Sequence, residues 1–345
     1  MWYAYIEPVS SNEWFNNQRY VDTMNKDAVK EFLATTHEKY YKEVGEDFGE
    51  HILGIFTDEP QFACHKGSLD HPFQQKDLLM PWTHDLPQSF SNTYGYKIED
   101  RLPEVFWQPS EGTPSLARYH YHDHISDRFT SAYADTVGSW CQEHHINLTG
   151  HMMHEDTLQS QTEALGEAMR SYRGFSLPGI DMLFDSMELN TAKQAQSASH
   201  QFGREGVMSE IYGVTNWDFT FVGHKSAGDW QAALGVTFRV PHLTWVSMRG
   251  EAKRDYPASL GYQSPWYQEY NLLETYFSRI NVAMTRGRAV VKIGVIHPVE
   301  SFWLAYGPMS QTSGEREERQ QNFELLTNIL LYDQLDFDFI SESLL

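Results

Sequence analysis

Apolar, strand-like runs recur through the middle of this chain at a nearly constant spacing. Four of them start at Asn147, Ile180, Val207 and Val236. Successive starts are roughly 30 residues apart, which is the length of one β-strand with its following helix. A series that alternates strands and helices in this way folds into a parallel sheet covered by helices. Residues 2–6 and 52–56 have the same apolar character and are predicted as two further strands.

The predicted architecture is an α/β fold, a (β/α)8 barrel of the TIM type over residues 1–288. Six predicted strands are two fewer than such a barrel needs, so we expect the chain to lack the first two barrel strands. Prolines are frequent in residues 60–114, which predicts a long loop over one face of the barrel. Residues 289–345 resemble the beginning of a second, flavodoxin-like α/β domain. The chain is therefore expected to be a fragment of a larger protein.

Helices are predicted where apolar residues return every three or four positions. They cover residues 27–44, 116–141, 265–286 and 316–332. His120 and His124 share one face of the second helix, which we interpret as a solvated helix surface rather than a metal site. The predicted helices lie between predicted strands, as a barrel requires.

The balance of charge excludes polyanionic partners. The chain has 26 basic and 47 acidic residues, a net charge of −21, and no run of Lys or Arg. Nucleic acids and anionic membranes require a basic surface, so neither is expected as a partner.

No apolar stretch reaches the length of about 18 residues that indicates a membrane span, and no signal-peptide pattern is present. With only Cys64 and Cys141, no disulfide framework is expected, and a cytoplasmic location is favoured over secretion. The oligomeric state stays open.

Two of the strand-like runs end in a glutamate, Glu59 and Glu210. A parallel barrel keeps its active site at the carboxyl ends of its strands, so these side chains are expected to face one another, on strands four and seven of a complete barrel. Such a pair suggests glycoside hydrolysis, in which one carboxyl protonates the leaving oxygen and the other attacks the sugar or activates water. A salt-bridged strand end or a loop carboxylate is the structural alternative for either residue.

Other polar residues are predicted at the same edge of the sheet. The negative charge of Asp58 is expected to raise the pKa of Glu59, which favours Glu59 as the acid. The later strand ends contribute His151, His154, Asp181, Asp185 and His242. These residues are expected to bind sugar hydroxyl groups and to tune the two carboxyls. The histidines also permit a metal-dependent hydrolase, but a pair three residues apart outside a helix does not aim both rings at one ion, so no metal ligand is predicted.

Aromatic side chains make up 14% of the chain, enough to supply both a core and a sugar-binding surface. Those expected to line the rim of the site follow Glu210 in sequence and are Tyr212, Trp217, Trp245 and Trp266. Sugars have flat C–H faces that stack on aromatic rings, which is the functional interpretation of these residues. Packing between the helices and the barrel is the alternative, and it is expected for most aromatic residues of the chain.

Several stretches resemble glycoside hydrolase family 106, the α-L-rhamnosidases. The matching segments are residues 20–25, 36–40, 54–60, 209–213, 229–236 with His242, and 263–266. The resemblance implies a barrel hydrolase that removes terminal sugars from glycans, with Glu59 as the general acid and Glu210 as the base. It also implies inversion at the anomeric carbon and a calcium ion near the site, although its ligands are not matched here; no other cofactor is expected. A weaker resemblance, to family 42 β-galactosidases, implies the same two glutamates in a barrel followed by an α/β domain.

Three functions are therefore compatible with the sequence. A glycosidase that removes terminal sugars, most similar to a rhamnosidase, is the principal hypothesis, with a β-galactosidase-like enzyme as its variant. A barrel that binds carbohydrate without cleaving it would use the same aromatic and carboxylate groups. A metal-dependent hydrolase would use the histidines instead. Carbohydrate is the expected ligand in the first two cases.

Overall fold

A computed structural model describes residues 3–62, 77–108, 113–184, 186–250 and 260–345. Its central feature is a five-stranded parallel sheet in which each strand pairs with the next one in sequence. The strands are β1 (Gly54–Thr57), β2 (Asn147–Gly150), β3 (Leu177–Leu183), β4 (Val207–Gly213) and β5 (Val236–Pro241). Sequential parallel pairing with helices in the connections is the pattern of a (β/α)8 barrel, so the chain has an α/β fold that corresponds to part of such a barrel.

Helices connect and cover these strands. Up to β2 they are α1 (Lys26–Thr35), α2 (His37–Val44), α3 (Leu86–Tyr94), α4 (Leu102–Phe106), α5 (Leu116–Phe129) and α6 (Asp135–Glu143). After β2 they are α7 (Leu158–Ala164), α8 (Ala168–Ser171), α9 (Leu189–Gln201), α10 (Phe221–Ala233) and α11 (Asn271–Met284). A single wider π-turn at Thr130–Ala134 joins α5 to α6, so that the predicted long helix is one continuous run. No helix in the described parts of the chain combines the length and apolar character needed to span a bilayer.

The sheet is open rather than closed into a barrel. β1 and β5 form its two edges, and the described residues provide no further strand that pairs with either. Apolar side chains remain accessible on both edge strands, with Phe56 37% and Phe238 48% exposed. The expectation of an incomplete barrel is confirmed, with five strands in place of the predicted six.

The predicted strand at residues 2–6 is wrong. Residues 3–6 have no strand conformation, and Tyr3, Tyr5 and Ile6 are 80%, 72% and 71% exposed. An apolar run is stabilised as a strand by the side chains and strands that pack beside it. None of the described strands pairs with this segment, so its apolar residues do not form a strand.

The predicted helix over residues 27–44 is divided into α1 and α2 at Thr36. The Thr36 hydroxyl group donates to the Phe32 carbonyl oxygen at 2.6 Å. Hydrogen bonds of this kind from a threonine compete with the regular helical pattern. The helix predicted at 265–286 is also shorter, because regular α-helical structure begins only at Asn271.

The proline-rich stretch is more regular than predicted, because it contains α3 and α4. These helices cover part of α5. His120 Nδ1 lies 3.0 Å from the Tyr96 hydroxyl group, and His124 Nε2 lies 2.8 Å from the Ser89 hydroxyl group. The interpretation of this face of α5 as a solvated surface is therefore wrong.

Two glycines allow neighbouring strands to approach closely at the carboxyl end of β2. Gly150 has a φ of +124°, and a Cβ atom there would collide with the Thr57 carbonyl oxygen. A Cβ atom on Gly179 of β3 would collide with the Gly150 carbonyl oxygen. A side chain at either position would push the strands apart. The two glycines therefore help to fix the position of the next residue, His151.

A second, two-stranded parallel sheet follows in the chain. It consists of β6 (Ile293–Ile296) and β7 (Phe337–Ile340), with α12 (Val299–Ala305) and α13 (Met309–Tyr332) between them. The buried ammonium group of Lys193 on α9 lies 2.8 Å from the Asp336 carboxylate and thereby anchors this unit to the main sheet. The division of the chain into domains at residue 288 stays a prediction.

Candidate active site

Most of the polar residues predicted for the site lie at the carboxyl ends of the five strands. They are Asp58, Glu59, His151, Asp181, Glu210 and His242. Asp181 of β3 and Glu210 of β4 are register partners on adjacent strands. Because all five strands run in the same direction, these side chains collect at one edge of the sheet.

His151 is the centre of this cluster. Its side chain is 1% exposed, and its Nε2 atom lies 2.8 Å from Oε2 of Glu210. The same nitrogen lies 3.4 Å from Oδ1 of Asp58, a carboxylate that faces solvent. His242 approaches the other oxygen of Glu210, with its Nε2 atom 3.8 Å from Oε1. His151 therefore links the ends of β1 and β4, and its hydrogen bond orients the Glu210 carboxylate.

The charges around His151 favour its protonated form. Burial alone would lower its pKa, but the hydrogen bond to Glu210 and the carboxylates of Glu155 and Asp181 outweigh burial and raise the pKa of His151 to about 9. The imidazolium ion donates a charge-assisted hydrogen bond to Glu210. At neutral pH the cluster thus has one buried cation among several carboxyl groups.

Glu59 and Asp181 also converge on His151. A carboxylate oxygen of each and a ring nitrogen of His151 all lie within 4.8 Å of one another. Burial raises the pKa of Glu59, His151 partly opposes this effect, and the charge of Asp58 adds to it. Burial likewise raises the pKa of Asp181 to about 7, again against the effect of His151. The main cause at Glu59 is therefore desolvation, whereas the sequence pointed to the neighbouring charge of Asp58.

Several residues at the ends of strands have a left-handed backbone. The φ angles are +48° at Glu59, +56° at Phe184, +71° at Tyr212 and +58° at Val214. This conformation costs roughly 1–2 kcal/mol for each residue other than glycine. The strain is concentrated at the same edge of the sheet as the carboxyl groups, which is where proteins commonly retain strain for function.

Tyr212 lies outside the cleft, contrary to its predicted role in substrate binding. It is 1% exposed, and its hydroxyl group donates to the His224 carbonyl oxygen at 3.2 Å. The pairing of β3 with β4 shifts register here, so that Gly213 and not Tyr212 lies opposite Leu183. A bulge of this kind interrupts the alternation of side chains. The Tyr212 ring consequently packs against α10 instead of beside Glu210.

The predicted tryptophans form one pair and one separate contact. The rings of Trp217 and Trp245 have centroids 5.8 Å apart and an interplanar angle of 58°. Trp266 instead approaches Phe221, with centroids 6.3 Å apart. The Trp217–Trp245 pair follows β4 and β5, the strands that lead to Glu210 and His242, and it stays a candidate platform for sugar.

Two predicted residues remain, His154 and Asp185. A third residue, Glu155, was not predicted and also lies close to the cluster in sequence. His154 is exposed and has a φ of +60°, and Asp185 lies outside the described residues. Glu155 was not predicted for the site, yet it is buried beside His151, and burial raises its pKa to about 7 against the effect of that histidine. Its position four residues after His151 is the only sequence signal, and that position does not distinguish a buried carboxyl from an exposed one.

The described residues contain two groups of three side chains that could surround a metal ion. Both include His151, with Asp58 and Glu210 in one group and with Glu59 and Asp181 in the other. Calcium binds through about six to eight oxygen atoms rather than through imidazole nitrogen, and Nε2 of His151 is already bonded to Glu210. Neither group therefore fits the calcium ion that the family resemblance implies.

Comparison with solved structures shows a fold shared with glycosidases. A rhamnosidase from Novosphingobium sp. PP1Y has a TM-score of 0.65 and 15% identity, over 94% of this chain and 29% of that one. A family 42 β-galactosidase has a TM-score of 0.59 and 11% identity, over 93% of this chain and 50% of that one. A catalytic mutant of this β-galactosidase, from G. stearothermophilus, gives 0.57 and 10%. The chain thus spans less than a third of the rhamnosidase and half of the β-galactosidase. Comparison with known protein families and with curated proteins finds no match.

Proposed function

We propose that this chain carries the active site of a glycoside hydrolase that removes terminal sugars from glycans, with rhamnosides as the first substrate class. The observation that carries the proposal is the convergence of Glu59 and Glu210 on His151 at the carboxyl edge of the parallel sheet. β1 and β4 are separated by three steps in the sheet, the same separation as strands four and seven of a complete barrel. The fold shared with a rhamnosidase and a β-galactosidase supports the same class of enzyme.

Glu59 is assigned as the general acid. Its raised pKa, caused mainly by burial, keeps the carboxyl protonated closer to neutral pH than an exposed glutamate would be. A protonated carboxyl can transfer its proton to the glycosidic oxygen while the bond to the leaving group breaks. The acid form is lost as the pH rises through this pKa, so hydrolysis is expected to decrease on the alkaline side.

Glu210 is assigned as the general base. Its Oε2 atom accepts the hydrogen bond from His151, which leaves Oε1 to accept a proton from water. That water attacks the anomeric carbon as the leaving group departs with the proton from Glu59, so that the configuration inverts. The hydrogen bond from His151 holds the Glu210 carboxylate in a fixed orientation for this step.

The test is hydrolysis of aryl glycosides, beginning with p-nitrophenyl α-L-rhamnoside and β-D-galactoside. Glu59→Gln should retain part of its activity on these activated substrates and lose activity on glycosides whose leaving groups require a proton. Glu210→Gln should lose activity on both kinds of substrate. Glu274→Gln, which changes a half-exposed glutamate that pairs with Arg239, is the matched control and should behave as wild type.

Two outcomes would contradict these assignments. Equal loss of activity on good and poor leaving groups in Glu59→Gln would remove this residue from the role of acid. Sugar binding in calorimetry, without turnover of any glycoside by the wild-type chain, would favour a carbohydrate-binding barrel over an enzyme.

A further inference from the structure

Glu155 is an unusual carboxylate because the protein encloses it almost completely, close to His151 in sequence. Its residue is 5% exposed, and it lies in the loop between β2 and α7. The Met152 backbone N–H donates to its Oε1 atom at 2.7 Å, and the Tyr172 hydroxyl group lies 3.3 Å from the same oxygen. Burying a charged carboxyl group costs free energy unless the group is paired or hydrogen-bonded.

The backbone around Glu155 is held as firmly as its side chain. The side-chain amides of Gln161 and Gln194 both donate to the Glu155 carbonyl oxygen at 2.9 Å. Gln161 also donates to Gln194 at 2.9 Å, so the loop is attached to α7 and α9 together. The Tyr172 hydroxyl group continues the network to β3 by donating to the Gly179 carbonyl oxygen at 2.8 Å. The loop that begins at His151 is therefore fixed at its far end.

Glu155 lies in the loop after β2, whereas the other carboxylates around His151 lie on or just after β1, β3 and β4. Those at the strand ends are Asp58 and Glu59 after β1, Asp181 on β3 and Glu210 on β4. The strand-end groups lie at the edge of the sheet proposed as the active site, whereas Glu155 is 5% exposed and lies in the loop that follows β2. The Nδ1 atom of His151 has no hydrogen-bond partner in the described structure, so Glu155 acts on the ring through its charge and through the loop.

We propose that Glu155 is a positioning residue that keeps His151 protonated and oriented as the hydrogen-bond donor to Glu210. Its loop network fixes the path of residues 151–155, and its negative charge stabilises the imidazolium ion. Glu155 itself contacts no substrate. The effect on catalysis rests on the proposed function, whereas the effect on His151 does not.

NMR titration of histidine ring signals tests the proposal without any substrate. The His151 signals are those absent from the spectrum of His151→Gln. In Glu155→Gln the pKa of His151 should fall by about 1, the effect of removing one nearby charge, and in Glu155→Asp most of this fall should be absent. Glu300→Gln, which neutralises an equally buried carboxyl between α5 and α12, should leave the His151 titration unchanged. An unchanged pKa in Glu155→Gln would overturn the proposal.

A measurement on the wild-type protein covers the case in which Glu155→Gln does not fold. Glu155 changes charge near pH 7, below the titration of His151 itself near pH 9, so the His151 signals should shift in both ranges. The shift near pH 7 should persist in Asp181→Asn, which removes the other neighbouring carboxyl that titrates there. Loss of that shift in Asp181→Asn would assign it to Asp181 and refute the role of Glu155.

The catalytic consequence is measured separately. With a glycoside that the wild type hydrolyses, Glu155→Gln should lower kcat by about ten- to a hundredfold with little change in KM, because positioning and not binding is lost. An absence of turnover in the wild type would refute the proposed function, yet the titration of His151 would still decide the role of Glu155.

Discussion

Two clusters of buried charge in this molecule use similar carboxyl groups and differ in the cation at their centre. His151 has carboxylates around it at the edge of the sheet, whereas Arg170 on α8 binds Asp123, Glu167 and Glu300 between α5 and α12. A guanidinium group does not lose its proton in the pH range in which proteins are folded. An imidazolium does, so one cluster has a fixed cation and the other has a cation that can titrate.

Each cluster combines carboxylate oxygens that accept hydrogen bonds with one that has no partner. In the Arg170 cluster, the Tyr94 hydroxyl group donates to Asp123 at 2.6 Å and the Tyr119 hydroxyl group donates to Glu300 at 2.8 Å. At the sheet edge, Oδ1 of Asp181 is buried and has no partner among the described residues. Oε1 of Glu167 in the Arg170 cluster is likewise buried without a partner among the described residues, so the two clusters are distinguished by their cations and not by unused hydrogen-bonding capacity.

The largest expected effect is on catalysis, at Glu210. Glu210→Gln should reduce turnover of an aryl glycoside by roughly ten-thousandfold, because the base is removed while the shape is kept. The midpoint of urea unfolding should change little. Strong destabilisation of this variant would show that the sheet-edge cluster is structural, like the cluster at Arg170.

At Arg170 the main expected effect is a loss of stability rather than a loss of turnover. Arg170→Met leaves the buried carboxylates of Glu167 and Glu300, and the partly exposed carboxylate of Asp123, without their cation, which should destabilise the fold by about 3–5 kcal/mol. Urea unfolding followed by circular dichroism measures this loss, with Arg319→Met, at a partly exposed arginine of α13 that pairs with Glu315, as the control. A change below about 1 kcal/mol would mean that the network is not needed for stability.

Both clusters should make the protein less stable as the pH rises to about 7, and the His151 cluster should continue this decrease to about pH 9. Glu155 and Glu300 have pKa values raised to about 7 from 4.5, so the folded state keeps protons that the unfolded chain has lost between these values. Stability from these groups is present below pH 4.5 and decreases as the pH rises to 7. For His151, raised from 6.5 to about 9, the decrease continues between those values. Each group contributes at most about 1.4 kcal/mol per pH unit within its range.

Denaturation at pH 5, 7 and 9 separates these contributions. Glu300→Gln should make the decrease between pH 5 and 7 smaller, because Glu155 and Asp181 still contribute to it, and should leave the decrease between 7 and 9 as in the wild type. His151→Gln should flatten the decrease between pH 7 and 9. A wild-type stability that increases from pH 5 to 7 would contradict the raised pKa values.

The smallest expected effect concerns the aromatic platform. Trp217→Ala should weaken sugar binding by about 1 kcal/mol, roughly fivefold, through the loss of one stacking surface. Trp14→Ala, which removes a tryptophan that is 81% exposed in the N-terminal segment, is the control. Equal weakening in both variants, measured by calorimetry, would exclude a specific role for Trp217.

The polar edge of the sheet could be predicted because it depends on where apolar runs end. In a parallel sheet every such end falls on the same side, so Glu59, His151 and Glu210 could be placed together without any knowledge of contacts. Tyr212 was misplaced because the bulge in β4 depends on pairing with β3, which no local pattern reports. Glu155 was missed because its burial results from α7, α9 and β3 packing around it, and residues 3–6 were misassigned because a strand requires a partner.

β1 must close a long loop before it can pair with the rest of the sheet. The Asn147 side-chain amide donates to the Leu53 carbonyl oxygen across 94 residues of sequence, whereas the Thr149 bond to Leu177, between β2 and β3, spans 28. Long loops slow the formation of a contact during folding, so β2 to β5 are expected to assemble first and β1 to join them last. Glu59 follows β1 directly. A refolding chain should therefore position Glu210, the proposed base, before Glu59, the proposed acid, and under the proposed function it should recover sugar binding earlier than hydrolysis.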